Sequence, residues 1–217
     1  MGYNIMFAGV SGVGKTTLAK WVAETLGIPF VSGSYSDLVP ETKDMPHQDM
    51  INQDAATVFR QDMQVLSLRS KRFRGEDNFV TDRSYFDSAA YFINKLSHRI
   101  EPCDLDHAID CCRLLLSQQC THLVFIPYST QFYNHWVIEN NNKRLLSKYY
   151  QFQVSQIMYG LLELWGYTPY NPLKSKMLYG IENCGTMEIM GYKIKVLVLD
   201  ELNLEKREFI LKRFLQL

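Results

Sequence analysis

Short apolar runs alternate along the chain with longer stretches in which apolar positions recur every three or four residues. The first run is Tyr3-Asn4-Ile5-Met6-Phe7-Ala8, and the first helix-like stretch is Lys15 to Leu26. Ile28 to Val31 reads as a second strand, and the polar segment Ser32 to Met50, with Pro40 and Pro46, reads as a loop. Ala55, Phe59, Met63 and Leu66 mark an amphipathic helix over about Gln53 to Ser70. Asn78 to Thr81 form a third strand and Phe86 to Leu96 the next helix. Leu105, Ile109, Cys112 and Leu116 outline another helix, with Asp104 available as its N-cap. His122 to Ile126 is a strand closed by Pro127. From Leu146, the positions Tyr150, Val154, Ile157, Leu161 and Trp165 keep helical spacing until Gly166. After a Gly- and Asn-rich region, Met187 to Ile189 and Lys193 to Leu199 pattern as a hairpin and last strand, and Leu204 to Leu215 as a terminal helix. Strands alternating with helices predict an α/β fold. Its sheet should be mostly parallel, five-stranded and covered on both faces, with ligands at the carboxyl ends of the strands.

Composition narrows this picture. At 217 residues and 47% hydrophobic, the chain can bury one sizeable core and reads as a single domain, 1–217. Lys plus Arg equals Asp plus Glu at 23 each, so overall charge calls for neither a nucleic-acid nor a membrane partner. With no signal sequence and no membrane-length apolar run, the expectation is a cytoplasmic protein. The odd number of cysteines and the lack of any CxxC pair point to buried thiols rather than disulfides or zinc. The histidines are scattered, which speaks against a transition-metal site.

The chemistry begins between the first strand and first helix, where residues 9–16 read Gly-Val-Ser-Gly-Val-Gly-Lys-Thr. This is the complete phosphate-binding loop pattern in its strand-loop-helix context. Gly9, Gly12 and Gly14 let backbone N–H groups face an anion, together with Val10, Ser11 and Val13. Lys15 would reach the β and γ phosphates, Thr16 would sit on a magnesium ion, and Thr17 is placed to touch the α phosphate. ATP and Mg2+ are therefore the expected cofactors.

A second constellation follows the third strand, in Thr81-Asp82-Arg83-Ser84. A carboxylate at the end of the strand beside the phosphate loop is where a magnesium-organising group is needed, and Arg83 would enter the same crevice to hold a phosphate. The plainer alternative is a surface ion pair with Asp82 or Ser84 as a helix cap. Asp87 reads as a capping-region carboxylate one turn before Tyr91, and Asp200 as a cap of the terminal helix.

The run Thr81 to Phe92, TDRSYFDSAAYF, resembles the Asp-Arg segment of thymidylate kinases. It is also similar to the Asp/Glu-Arg-Ser segment of deoxynucleoside kinases and of kinase-like ATPases that bacteriophages encode. The resemblance implies a three-layer α/β/α P-loop kinase with a substrate-binding region over 32–74 and a lid over 135–148. In it, Arg60 falls where the family's phosphate-binding arginine is expected, on a polar helical face with Gln53, Thr57 and Gln64. That stripe is equally readable as a solvated face. Lys143 and Arg144 are the lid candidates, since phosphoryl transfer needs positive charge and exclusion of water.

The acceptor has two main readings. A nucleoside hydroxyl needs a general base, for which Asp37 is the candidate, whereas a nucleoside monophosphate needs the arginines Arg60 and Arg83. A deoxynucleoside monophosphate kinase of thymidylate kinase type is preferred, with a nucleoside kinase as the alternative. A third reading comes from phage-type kinases acting on 5-hydroxymethyluracil in DNA, for which Lys71-Arg72-Phe73-Arg74 offers cations around an aromatic. Outside kinases stands a P-loop ATPase or switch module that needs no acceptor. A homodimer is compatible with all of these.

Overall fold

The computed structural model describes residues 2–39, 53–131, 148–170 and 183–216. Strand β1 (Asn4–Gly9) leads through the phosphate loop into α1 (Lys15–Leu26), followed by the short α2 (Tyr35–Leu38) and the long α3 (Ala55–Arg74). Then come β2 (Phe79–Thr81), α4 (Tyr85–Leu96), α5 (Pro102–Gln119), β3 (His122–Ile126) and α6 (Lys148–Leu164). The chain closes with β4 (Tyr167–Pro169), β5 (Cys184–Ile189), β6 (Tyr192–Val198) and α7 (Leu204–Leu215).

The sheet is mixed and six-stranded, in the order β2-β1-β3-β6-β5-β4. The pairs β1–β2, β1–β3 and β3–β6 are parallel, while β5 runs antiparallel to both β6 and β4. Residues Ile5 to Ala8 are fully buried although their side chains alternate between faces, so the sheet is covered on both sides in a three-layer α/β/α arrangement. Its parallel half brings the carboxyl ends of β1, β2 and β3 together, at Gly9, Thr81 and Ile126.

Four local features differ from the sequence pattern. The expected strand Ile28 to Val31 is a single bridge, Phe30 to Val80, with the Val31 N–H donating to the Val80 carbonyl at 2.8 Å. Pro29 has no N–H to extend the ladder. Five of the expected runs form strands, and β4 makes the sheet six-stranded rather than five-stranded; three residues are too few to show a period. Helix α5 starts with Pro102 in its first turn and Glu101 at the N-cap, rather than at Asp104. Asn203 caps α7, its side chain accepting the Lys206 N–H at 3.0 Å, so Asp200 does not. The hairpin between β5 and β6 turns through Met190 and Gly191, both with positive φ. Cys112, Cys120 and Cys184 are buried and form no disulfide among the described residues, whereas Cys103 is exposed.

Candidate active site

The loop from Gly9 to Thr16 leaves the end of β1 and winds into α1. Gly9 has φ 140°, and a Cβ there would lie 2.2 Å from the Ile126 carbonyl oxygen, so the entry to the loop admits only glycine. Gly14, at φ 86°, stands at the N-cap of α1 without a side-chain cap, which leaves the first-turn N–H groups for an anion. Lys15 is 5% exposed, and its Nζ donates to the carbonyls of Gly9 at 2.6 Å and Val10 at 2.7 Å. The ammonium therefore stands over the start of the loop.

Asp82 meets this loop directly. The Thr16 hydroxyl donates to Asp82 Oδ2 at 2.6 Å, while the buried Oδ1 has no hydrogen-bond partner among the described residues. A hydroxyl beside a carboxylate with one unsatisfied oxygen suits a hydrated divalent ion bound jointly with phosphates. No group of three or more His, Cys, Asp and Glu side chains is gathered among the described residues, so this pair fits Mg2+ of the phosphate-bound kind rather than a protein-caged metal. Asp82 takes no capping role; Ser84 caps α4, accepting the Asp87 N–H at 3.0 Å.

Asp87 is likewise not a capping carboxylate. It is 3% exposed, and its Oδ1 accepts the Gly9 N–H at 2.8 Å. Burial pushes its carboxyl above the ordinary range, opposed by the nearby charges of Lys15, Arg83 and Arg69 and by the Gly9 bond.

Arg69 is the functional-region residue that sequence reasoning missed. It projects from α3 and is 5% exposed, with Nε and Nη2 donating to the Gly33 carbonyl at 3.2 and 2.9 Å and Nη1 to Ser88 Oγ at 2.6 Å. Burial, then the neighbouring Arg83, lower its pKa from the usual arginine value. A buried network supports it from behind: Tyr85 donates to Gln119 Oε1 at 2.6 Å, and Gln119 donates to Ser70 Oγ at 3.1 Å. The signal in the sequence was phase, because Arg69 falls in register with the buried Leu66 and Phe73 of α3.

The other candidates are distributed around this centre. Arg83 lies against Gly33, where a Cβ would come within 3.1 Å of the Arg83 Cβ, and its backbone N–H donates to Thr81 Oγ1. Arg60 and Gln64 stand exposed on α3, while Gln53 and Thr57 are half-buried. Asp37 is exposed in α2, and its carboxylate accepts the Ser32 hydroxyl. In the basic cluster, Phe73 is 1% exposed and stacks on Phe79 at 5.0 Å, so it offers no face to a nucleobase. Arg72 of that cluster holds the Ser32 carbonyl at 2.9 Å. Lys143 and Arg144, with residues 135–147 of the expected lid, lie outside the described residues, as does much of the region between Ser32 and Arg74.

The far side of the loop is braced from α7. Arg207 is 3% exposed; its Nη1 donates to the Val13 carbonyl at 2.9 Å and its Nε to the Glu201 carbonyl. Burial lowers its pKa to about 10. Beside it opens a cleft of about 520 Å³ lined by Tyr128, Phe152, Tyr159, Gln156, Asp200 and Leu202 among others. Flat aromatic walls with interspersed polar groups suit the base of a nucleotide whose phosphates occupy the adjoining loop.

Comparison with known proteins bears on the fold. Over 98% of the chain and 99% of theirs, it superposes on structures of deoxyadenosine kinase from M. mycoides, with TM-score 0.63 and 15% identity for the form with bound dCTP. The form with bound dATP gives TM-score 0.64 at the same identity and coverage. The likeness is one of fold, a three-layer α/β/α arrangement shared over nearly the whole chain. The NadR protein in complex with NR matches with TM-score 0.61 and 13% identity over 98% of this chain and 51% of NadR. Shikimate kinase from Acinetobacter baumannii matches with TM-score 0.52 and 14% identity, over 98% of this chain and 92% of that one. The family model for ATPases associated with various cellular activities (AAA) matches residues 5–74, the stretch from β1 through α3. No curated protein matches the chain in sequence. Among the described residues, no helix is long and apolar enough to cross a membrane.

Proposed function

We propose that the protein is an ATP-dependent phosphotransferase whose acceptor is a deoxynucleoside monophosphate, as in thymidylate kinases, or the corresponding nucleoside. The observation that carries this reading is the Thr16–Asp82 hydrogen bond, which unites the triphosphate loop and the Asp-Arg segment in one cleft. The likeness to deoxyadenosine kinase over the whole described fold supports it.

In this reading, residues Gly9 to Thr17 hold the ATP phosphates through backbone N–H groups, Lys15 and the N-terminus of α1. Thr16 and Asp82 would hold Mg2+, which when bound neutralises charge on the phosphates. The nucleotide base would rest in the aromatic cleft beside Arg207. Arg83 positions the acceptor from the end of β2, with Arg69 beside it holding the Gly33 carbonyl and Arg60 and Gln64 offering polar groups elsewhere on α3. Lys143 or Arg144 would close over the γ phosphate. Transfer in line then depends on positioning and charge.

The test is a screen for ADP release by the purified protein with ATP and Mg2+, against nucleosides, nucleoside monophosphates and hydroxymethylated DNA. ADP formation that depends on one of these acceptors is the expected result. Equal turnover without any acceptor would replace the kinase reading with that of an ATPase or switch module.

A further inference from the structure

Asp87 is the buried charge in the cleft to which the scheme above gives no task. One oxygen anchors the Gly9 N–H, and the other, Oδ2, is buried and makes no hydrogen bond among the described residues. Four ionisable groups face the carboxylate: Lys15 from α1, Arg83 from the segment after β2, Arg69 from α3, and Tyr91 one turn further along α4. Tyr91 in turn lies beside Ser11 of the phosphate loop and stacks on Tyr150 of α6 at 6.4 Å. The carboxylate thus sits where the phosphate loop, the Asp-Arg segment and α3 converge.

A purely structural role explains only half of this. Holding one backbone N–H needs a single neutral acceptor, and the cap of α4 is already supplied by Ser84. A second carboxylate oxygen left buried and unsatisfied is costly unless a ligand uses it. The two carboxylates of the cleft also have separate surroundings. Asp82 faces a hydroxyl suited to share a metal ion, whereas Asp87 is desolvated among cations beside the lysine that meets the γ phosphate.

We infer that Asp87 is the proton acceptor of the transfer, taking the proton from a neutral hydroxyl of the acceptor onto Oδ2 as that oxygen attacks the γ phosphorus of ATP. The inference rests on the phosphotransferase reading and sharpens its acceptor class. A new O–P bond forms, the bond from the γ phosphorus to the bridging oxygen breaks with its electron pair leaving on ADP, and the proton passes through Asp87 to solvent. A monophosphate attacks through an oxygen that is already ionised near neutral pH, since the second phosphate pKa is about 6, and needs no such base. The acceptor is accordingly a hydroxyl compound, a nucleoside sugar or a hydroxymethyl group, rather than a nucleotide phosphate.

The Asp87→Asn variant keeps an oxygen for Gly9 but cannot take a proton. ATP affinity is measured by calorimetry, and kcat and KM over about pH 5 to 9, with nucleosides, hydroxymethylated DNA and monophosphates as acceptors. ATP affinity should stay within about threefold of wild type while kcat with a hydroxyl acceptor falls roughly 10²- to 10⁴-fold and its acid limb disappears. The titration midpoint of the Asp87 carboxyl, read by NMR in the wild-type protein, should coincide with that limb, and this stands even if the variant folds poorly. A variant with kcat within about threefold of wild type overturns the inference, because removal of a general base costs far more. So do a mismatch of the two midpoints, loss of the acid limb in Asp37→Asn instead, or a wild type that accepts monophosphates alone. Acceptor-independent turnover overturns the phosphotransferase reading itself, and the inference with it.

Discussion

The Thr16 hydroxyl donates to Asp82 Oδ2 at 2.6 Å, tying the first turn of α1 to the end of β2. Replacing Asp82 with Asn keeps the size but removes the charge that a divalent ion needs. The Mg2+ concentration required for half-maximal ATP turnover should rise on the order of 10- to 100-fold, with the melting temperature little changed. A magnesium titration of both proteins checks this.

Arg69 answers the Gly33 carbonyl with two donors and Ser88 with a third. Lysine cannot reproduce that planar fork. Arg69→Lys should lose about 1.5–3 kcal/mol of stability in urea unfolding, the scale of hydrogen bonds to charged groups. In kinetics it should raise KM for the acceptor more than KM for ATP.

Two glycines should respond in opposite directions to alanine. Gly9→Ala places a Cβ against the Ile126 backbone oxygen and should abolish ATP binding, with a loss above about 3 kcal/mol. At Gly160, exposed within α6, a Cβ meets nothing within 4 Å, so Gly160→Ala should stabilise by about 0.5–1 kcal/mol. Thermal melts and nucleotide titrations of the two variants test the contrast.

His122 should give the fold an acid sensitivity of its own. Burial, with Lys195 adding repulsion, lowers its pKa from 6.5 to about 4, and its buried Nε2 has no hydrogen-bond partner among the described residues. The depressed value means that the unfolded chain binds the proton first. This stabilising contribution is complete above about pH 6.5, declines as pH falls, and is lost by about pH 4. Its upper bound is about 3 kcal/mol, at 1.36 kcal/mol per pKa unit. Urea unfolding across that window should show a shallower pH slope in His122→Phe, which keeps the ring between Tyr3 and Phe214.

What the sequence disclosed was mostly local. The bounds of α1, β3 and α7 coincide with the pattern, since Gly14, Gly27, Pro127 and Asn203 punctuate the chain beside them. The turn of residues 9–16 into α1 and the place of Asp82 just past β2 were legible because both are encoded in adjacent residues and in a strand end. Arg69 was not, because an arginine within an apolar stripe reads as an interruption until its partners, the Gly33 carbonyl and Ser88, are brought in by the fold. Asp87 looked like a helix cap because its partner, the Gly9 N–H, is 78 residues away. The β4 pairing was hidden for a related reason: a three-residue strand is defined by its neighbour β5 rather than by its own alternation.

The Arg207 guanidinium grips the carbonyl of Val13 across 194 residues of chain. The shape of the loop is therefore a long-range property, completed by a side chain from another layer of the fold. Loss of the Arg207 guanidinium should loosen the turn at Val13 while leaving β1 paired with β2 and β3.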